Sequence, residues 1–231
     1  MSINHPTAPF VGALEKDPTI SLIGTLAMLV EAPGDFDLVQ QGRIWAMADV
    51  LSSWPNVQEA VIGVTNVMLA FEQPPEDLGA LSASIIELWH RLPGLDANGK
   101  LIEIPVVYGG EHGFDLPAVA ARAGLSAREV VRIHSEGEYT VCAVASSPGF
   151  GYLHGLDPRI FMPRKSVPSL NMRAGSVTIG GMQTGVAVLS SPNGWNAIGL
   201  AEVPMFDSRS DRPSLMTPGD RVKFRIDRVE L

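Results

Sequence analysis

Apolar side chains at Phe36, Val39, Ile44, Met47, Val50, Leu51 and Trp54 return to one side of a helix, which places a helix over residues 35–54. Pro55 and Asn56 end it. Before it, residues 20–31 read as one or two β segments broken at Gly24. After it, "VQEAVIGVTNVMLAFE" carries two short strands around Gly63. Pro74 and Pro75 then open a second helix with Leu78, Leu81, Ile85, Leu88 and Leu92 on one stripe, and a strand follows at residues 101–108. The order β, α, β, β, α is that of two helices on one face of a small sheet.

"LPGLDANGK" at residues 92–100 is turn-rich and divides the chain into an N-terminal α+β domain, 1–95, and a second domain, 96–231. Its "DLPAVAARAGLSAREVVRIHS", residues 115–135, predicts two helices. Asp115 is the N-cap with Pro117 in the first turn, Gly124 is the stop, and Ser126 with Glu129 forms a capping box. From Glu138 onward come short strands punctuated by Pro and Gly, which predict a closed or nearly closed β barrel with the two helices as its cap. Residues 1–9, with Pro6 and Pro9, read as a loose tail.

Charge narrows the function. The paired helices resemble a DNA reader in outline, yet the chain holds 17 Lys+Arg against 25 Asp+Glu, a net charge of −8. Around these helices Glu111, Asp115, Glu129, Glu136 and Glu138 outnumber Arg122, Arg128 and Arg132, which opposes a grip on phosphates. The longest apolar run, residues 20–30, is broken by Ser21, Gly24 and Thr25 and is too short to span a bilayer. No basic leader precedes it, so the expected location is the cytoplasm. The single Cys142 lies among Tyr139, Val141 and Val144 and reads as a core thiol.

Several chemistries lack their signatures. The five histidines, at 5, 90, 112, 134 and 154, show no metal-ligand spacing. The glycines of "SSPGFGYLHG" follow a strand, but the proline-rich "LDPRIFMPRKSVPS" after them cannot continue as a dinucleotide-binding helix. A P-loop and a G-x-S-x-G elbow are both missing. "AGSVTIGGMQTGVAVLSSPNGWNAIG" offers Gln183 and Thr184 as polar groups and Trp195 as a stacking face, a floor suited to an amide, lactam or carboxylate.

Four ordered stretches, "VVYGGEHGFDLPAVAARAGLSAREVVRIHSEGEYTV", "PGFGYLHGLDPRIFMPR", the segment just quoted, and "LMTPGDRVKFR", resemble the family of the 5-oxoprolinase B subunit, also known as allophanate hydrolase subunit 1 or KipI. The resemblance is strong over about 101–226 and weaker over the N-terminal half. It implies a small α/β-sandwich domain followed by a cyclophilin-like β barrel. It implies a non-autonomous component that works with separate C-type and A-type subunits to open 5-oxoproline to glutamate, the C-type partner resembling the other piece of a carboxyltransferase domain. ATP would be used by the complex, with no cofactor or metal intrinsic to this chain. The same family also implies two alternatives: a component of the urea carboxylase or allophanate hydrolase type, and a histidine-kinase inhibitor without catalysis. Carried over by position, the resemblance implies catalytic parts for His134, Tyr152 and Asp157. It implies substrate binding by Gly149, Phe150, Arg164, Gly181, Gln183 and Thr184, with Arg164 or Gln183 on the carboxylate or amide. The chain departs from the family at Thr25, Gly151, His154 and Met182, and the last two are expected to narrow the pocket.

Overall fold

The computed structural model describes residues 16–231, so the expected tail at 1–9 lies outside the described residues. Strands β1 (Thr19–Ile23) and β2 (Ala27–Glu31), helix α1 (Leu38–Leu51), β3 (Val57–Ile62), β4 (Asn66–Phe71) and α2 (Leu78–Arg91) come first. The four strands form an antiparallel sheet in the order β1-β2-β4-β3. Both helices cover one face of it. Ile44, Met47 and Leu51 of α1 and Ile85, Leu88 and Trp89 of α2 are buried with Met28, Val30, Val67, Leu69 and Phe71 of the strands. Alternation along β2 and β4 turns every second residue to that core, as a half-covered sheet requires. Helix α2 starts later than the prolines suggest, because the Asp77 carboxylate accepts the Ala80 N–H and sets the N-cap.

The remaining strands are β5 (Leu101–Gly109), β6 (Tyr139–Val144), β7 (Gly151–His154), β8 (Ser169–Met172), β9 (Ser176–Gly180), β10 (Gln183–Val186), β11 (Ser191–Asn193), β12 (Asn196–Leu200) and β13 (Arg221–Glu230). Seven of them close into a barrel in the order β10-β7-β6-β13-β5-β12-β9, with β9 pairing back to β10. The β5–β13 pair is parallel, and its neighbours in the barrel are antiparallel. Strands β8 and β11 pair separately as a small two-stranded flap.

Helices α3 (Leu116–Ala123) and α4 (Ala127–Glu136) lie against the barrel, where Val119, Val130, Val131 and Ile133 join its core. The face a DNA reader would present to bases is thus turned partly into the protein. The Ser126–Glu129 capping box is present, and Gly124 ends α3 in the left-handed conformation. Asp115 sits at the N-cap position without capping, since its carboxylate is drawn to the Ala197 N–H and to Lys165.

Helix α1 also ties the first sheet to the barrel. Gln41 is fully buried and donates to the carbonyls of Gly63 and Cys142, while its own carbonyl oxygen accepts the Thr65 N–H. Trp45 Nε1 donates to the same Cys142 carbonyl at 2.8 Å. The turn-rich stretch at 92–100 is no free tether: the backbones at Gly42 and Leu95 touch, and Gly99 N–H bonds to Gly219 O. Cys142 is buried, and burial pushes its thiol up to about 12, consistent with an inert core group. Among the described residues no helix is long and apolar enough to cross a membrane.

Candidate functional site

The chain reverses tightly between β6 and β7. Phe150 N–H bonds to Ser147 O and Ala145 N–H to Phe150 O, which forces Ser146 to φ +65° and Gly149 to φ +83°. A side chain at Gly149 would meet the Met205 carbonyl oxygen at 2.6 Å, so glycine is required there by both conformation and space. This turn sets Ser146 and Ser147 at one wall of a cavity of about 340 Å³. Phe150 comes from just before β7 and Tyr152 from within it, and Ser191 to Trp195 from the far side. Arg164 enters from the loop before β8.

The walls are aromatic. Phe150 meets Tyr152 and Trp195 edge-on, with ring centroids at 5.0 and 5.6 Å. The Tyr152 and Ser146 hydroxyls hydrogen-bond to each other at the rim. Trp195 lies over Gly180, where the missing side chain makes room for the indole. The Arg164 guanidinium rests 5.7 Å from the Trp195 ring centroid and makes no ion pair with the described residues. Among the described residues lining the cavity it is the only charged side chain. An unneutralised cation facing aromatic walls, with hydroxyls and the Asn193 amide nearby, suits a small planar molecule that carries a carboxylate.

The structure therefore brings together Phe150, Tyr152 and Arg164 of the expected site, with Gly149 shaping the turn beneath them. It places the others elsewhere. Gly181 occupies the β9–β10 turn at φ +67° and donates its N–H to Met162 O, and Gln183 begins β10; neither lines the cavity. Asp157 caps a short 3-10 turn and pairs with Arg159, whose hydrogen bonds hold its carboxyl below the usual carboxylate range. His154 packs in a tilted arrangement on Phe36 with ring centroids 4.3 Å apart, and Met182 is exposed, so neither narrows the cavity.

His134 is in the barrel core, fully buried and stacked on Phe224 at 4.6 Å. Its Nε2 faces Thr184 Oγ1 at 2.9 Å and its Nδ1 faces the Tyr108 hydroxyl at 2.8 Å. The one Thr184 hydroxyl proton is given to Thr178 O, so Nε2 must carry the ring proton and Nδ1 accepts from Tyr108. Both nitrogens are committed, and Thr184 is committed with them. His134, for which the resemblance implies a catalytic part, instead points its ring inward from the last turn of α4 and closes a polar gap in the core.

Burial pushes the His134 imidazole down to about 3, so the folded protein holds it neutral. In the unfolded chain it takes a proton below its usual value of about 6.5. This contribution to stability is complete above pH 6.5 and is lost as pH falls from there toward about 3. Tyr108 and Tyr139, which face the ring, are themselves raised by burial and stay neutral throughout. Urea unfolding should therefore show a loss of about 2 kcal/mol from this group between pH 6.5 and pH 5, and His134→Asn should remove that part of the pH dependence.

Sequence reasoning missed Ser146, Ser147 and Asn193 as lining residues. It also missed the partly buried pair of Lys165 with Asp115 at 2.5 Å. Among the described residues no cluster of three or more His, Cys, Asp or Glu side chains is arranged to hold a metal ion.

Residues 18–216 match the family described as carboxyltransferase domain, subdomain C and D. The 5-oxoprolinase B subunit of Escherichia coli O157:H7 is 42% identical over 207 residues, covering 88% of this chain and 93% of that protein. The crystal structure of TTHA0988 superposes with a TM-score of 0.73 at 33% identity over 87% of this chain, which spans 39% of that longer chain. The K. lactis urea amidolyase gives a TM-score of 0.78 over 96% of this chain and 15% of its own, and at 20% identity it shares the fold alone.

Proposed function

The chain belongs to the carboxyltransferase subdomain C and D family, and from that membership and the cavity at Arg164 we propose that it is the B-type subunit of an ATP-dependent 5-oxoprolinase. The complex would open the lactam of 5-oxoproline to glutamate, with C-type and A-type subunits as separate chains. The E. coli 5-oxoprolinase B subunit is matched over nearly its whole length, which supports the substrate. The observation that carries the reading is Arg164, a cation without an acidic partner among the described residues, poised over Trp195 in a cavity with aromatic walls.

Arg164 binds the substrate carboxylate through charge-assisted hydrogen bonds. The five-membered ring lies against the aromatic wall that Phe150 and Trp195 form together, and the Tyr152 hydroxyl or the Asn193 amide donates to the lactam oxygen. Such donors polarise the carbonyl that must be activated before the ring opens. The chain has no P-loop, and nucleotide chemistry is left to the other subunits. The isolated chain therefore binds and orients but does not turn over.

The test is on the native complex. Tagged protein purified with its co-eluting subunits should release ADP in a manner that depends on 5-oxoproline, and the chain alone should not. Co-eluting subunits with ADP release indifferent to 5-oxoproline would overturn the substrate.

A further inference from the structure

Arg164 projects from an irregular loop, yet the residues on either side of it are fixed. Asn196 Nδ2 donates to Pro163 O at 2.9 Å, and Lys165 N–H donates to Gly194 O at 2.7 Å. The Lys165 ammonium then reaches away from the cavity to Asp115 Oδ2 at 2.5 Å and Ser169 Oγ at 2.7 Å, and it lies 4.7 Å from the centre of the Phe114 ring. Asp115 in turn is bound to the start of β12: its carboxylate accepts the Ala197 N–H at 2.8 Å, and its own N–H donates to Ala197 O at 3.0 Å.

The Lys165 and Asp115 side chains are only 16% and 17% exposed, so the pair is far more shielded than an ordinary surface ion pair, and either partner left alone would be a poorly solvated charge. Asp115 also forgoes the helix cap its position offers in order to make these bonds. The geometry points to Asp115 and Lys165 as a positioning pair that locks the Arg164 loop onto the Trp195–Ala197 segment and so aims the guanidinium into the cavity. Adjacent residues of the loop divide the work: Arg164 faces the ligand, and Lys165 holds the backbone.

This rests on the proposed carboxylate-binding role of Arg164, so two readouts are taken. The first is hydrogen exchange on the full chain, compared for wild type, Lys165→Met, Asp115→Asn and Lys165→Arg. Asp115→Asn keeps an acceptor for the Ala197 N–H and serves if Lys165→Met folds poorly. Amides of residues 164–166 and 195–198 should exchange roughly tenfold faster in the first two variants and near wild type in Lys165→Arg, while those of β6 stay unchanged. Unchanged exchange at the loop overturns the pair as a clamp, whatever the substrate proves to be.

The second readout is steady-state kinetics of the assembled complex. In the two charge-removing variants KM for 5-oxoproline should rise about tenfold with kcat within about twofold, and Lys165→Arg should restore it. Faster exchange with unchanged KM, or an equal fall in kcat with no change in KM, overturns the positioning role. A wild-type complex indifferent to 5-oxoproline removes the substrate assignment, and the exchange comparison still decides the clamp.

Discussion

Arg164→Ala is expected to raise the KM of the complex for 5-oxoproline by roughly 30- to 150-fold, the equivalent of about 2–3 kcal/mol for charge-assisted hydrogen bonds to a carboxylate. The side chain is exposed at the cavity and bonds to no described acidic residue, so its removal leaves no buried charge behind and should change the unfolding midpoint little. Loss of affinity without loss of fold is the expected signature. Arg164→Lys should recover only part of the affinity, because an ammonium lacks the planar fork and stacks poorly on Trp195. Steady-state kinetics of the purified complexes, with thermal unfolding of each chain, separate these outcomes.

Gly180→Ala should damage both fold and function. The added Cβ would lie 2.4 Å from Trp195 Cδ2 and 2.6 Å from its Cγ, far inside contact distance. The indole has little freedom to retreat. Its backbone N–H is bonded to Asn193 Oδ1, the next residue anchors to Ile179 O and Pro163 O, and Phe150 meets it edge-on. Overpacking of this kind costs about 1–3 kcal/mol. Because Trp195 is at once the wall of the cavity and the support for Arg164, its displacement should also lower kcat/KM by roughly tenfold or more. Adding Trp195→Leu to Gly180→Ala should recover part of the stability and none of the affinity. Denaturant unfolding paired with kinetics checks both.

The elements were largely readable from the chain because each carries its own local chemistry. The stripe through Ile44, Met47 and Leu51 gives α1, the Ser126–Glu129 box opens α4, and Gly124 closes α3. The membership of the site was readable only in part. Phe150, Tyr152 and Arg164 fall within the single quoted stretch "PGFGYLHGLDPRIFMPR", whereas the Ser191–Trp195 wall comes from a stretch some distance downstream and meets them only when the barrel closes. The catalytic part that the resemblance implies for His134 is not met at the cavity for a physical reason: the barrel sits on that face of α4 and takes the ring into its core. Asp115 departs from its expected part in a similar way. Its sequence position is that of a helix cap, and only Lys165, remote in sequence, reveals where its carboxylate goes. Long-range polar partners are set by topology, and local spacing holds no record of them.

Binding of 5-oxoproline to the assembled complex, titrated calorimetrically for wild type and Arg164→Ala beside 2-pyrrolidinone, which keeps the lactam and lacks the carboxylate, is the most direct measurement. Saturable binding of 5-oxoproline to wild type, weakened at least about 30-fold both by the substitution and by removal of the carboxylate, is the expected result. Equal affinity of wild type and Arg164→Ala for 5-oxoproline would contradict a carboxylate site at Arg164.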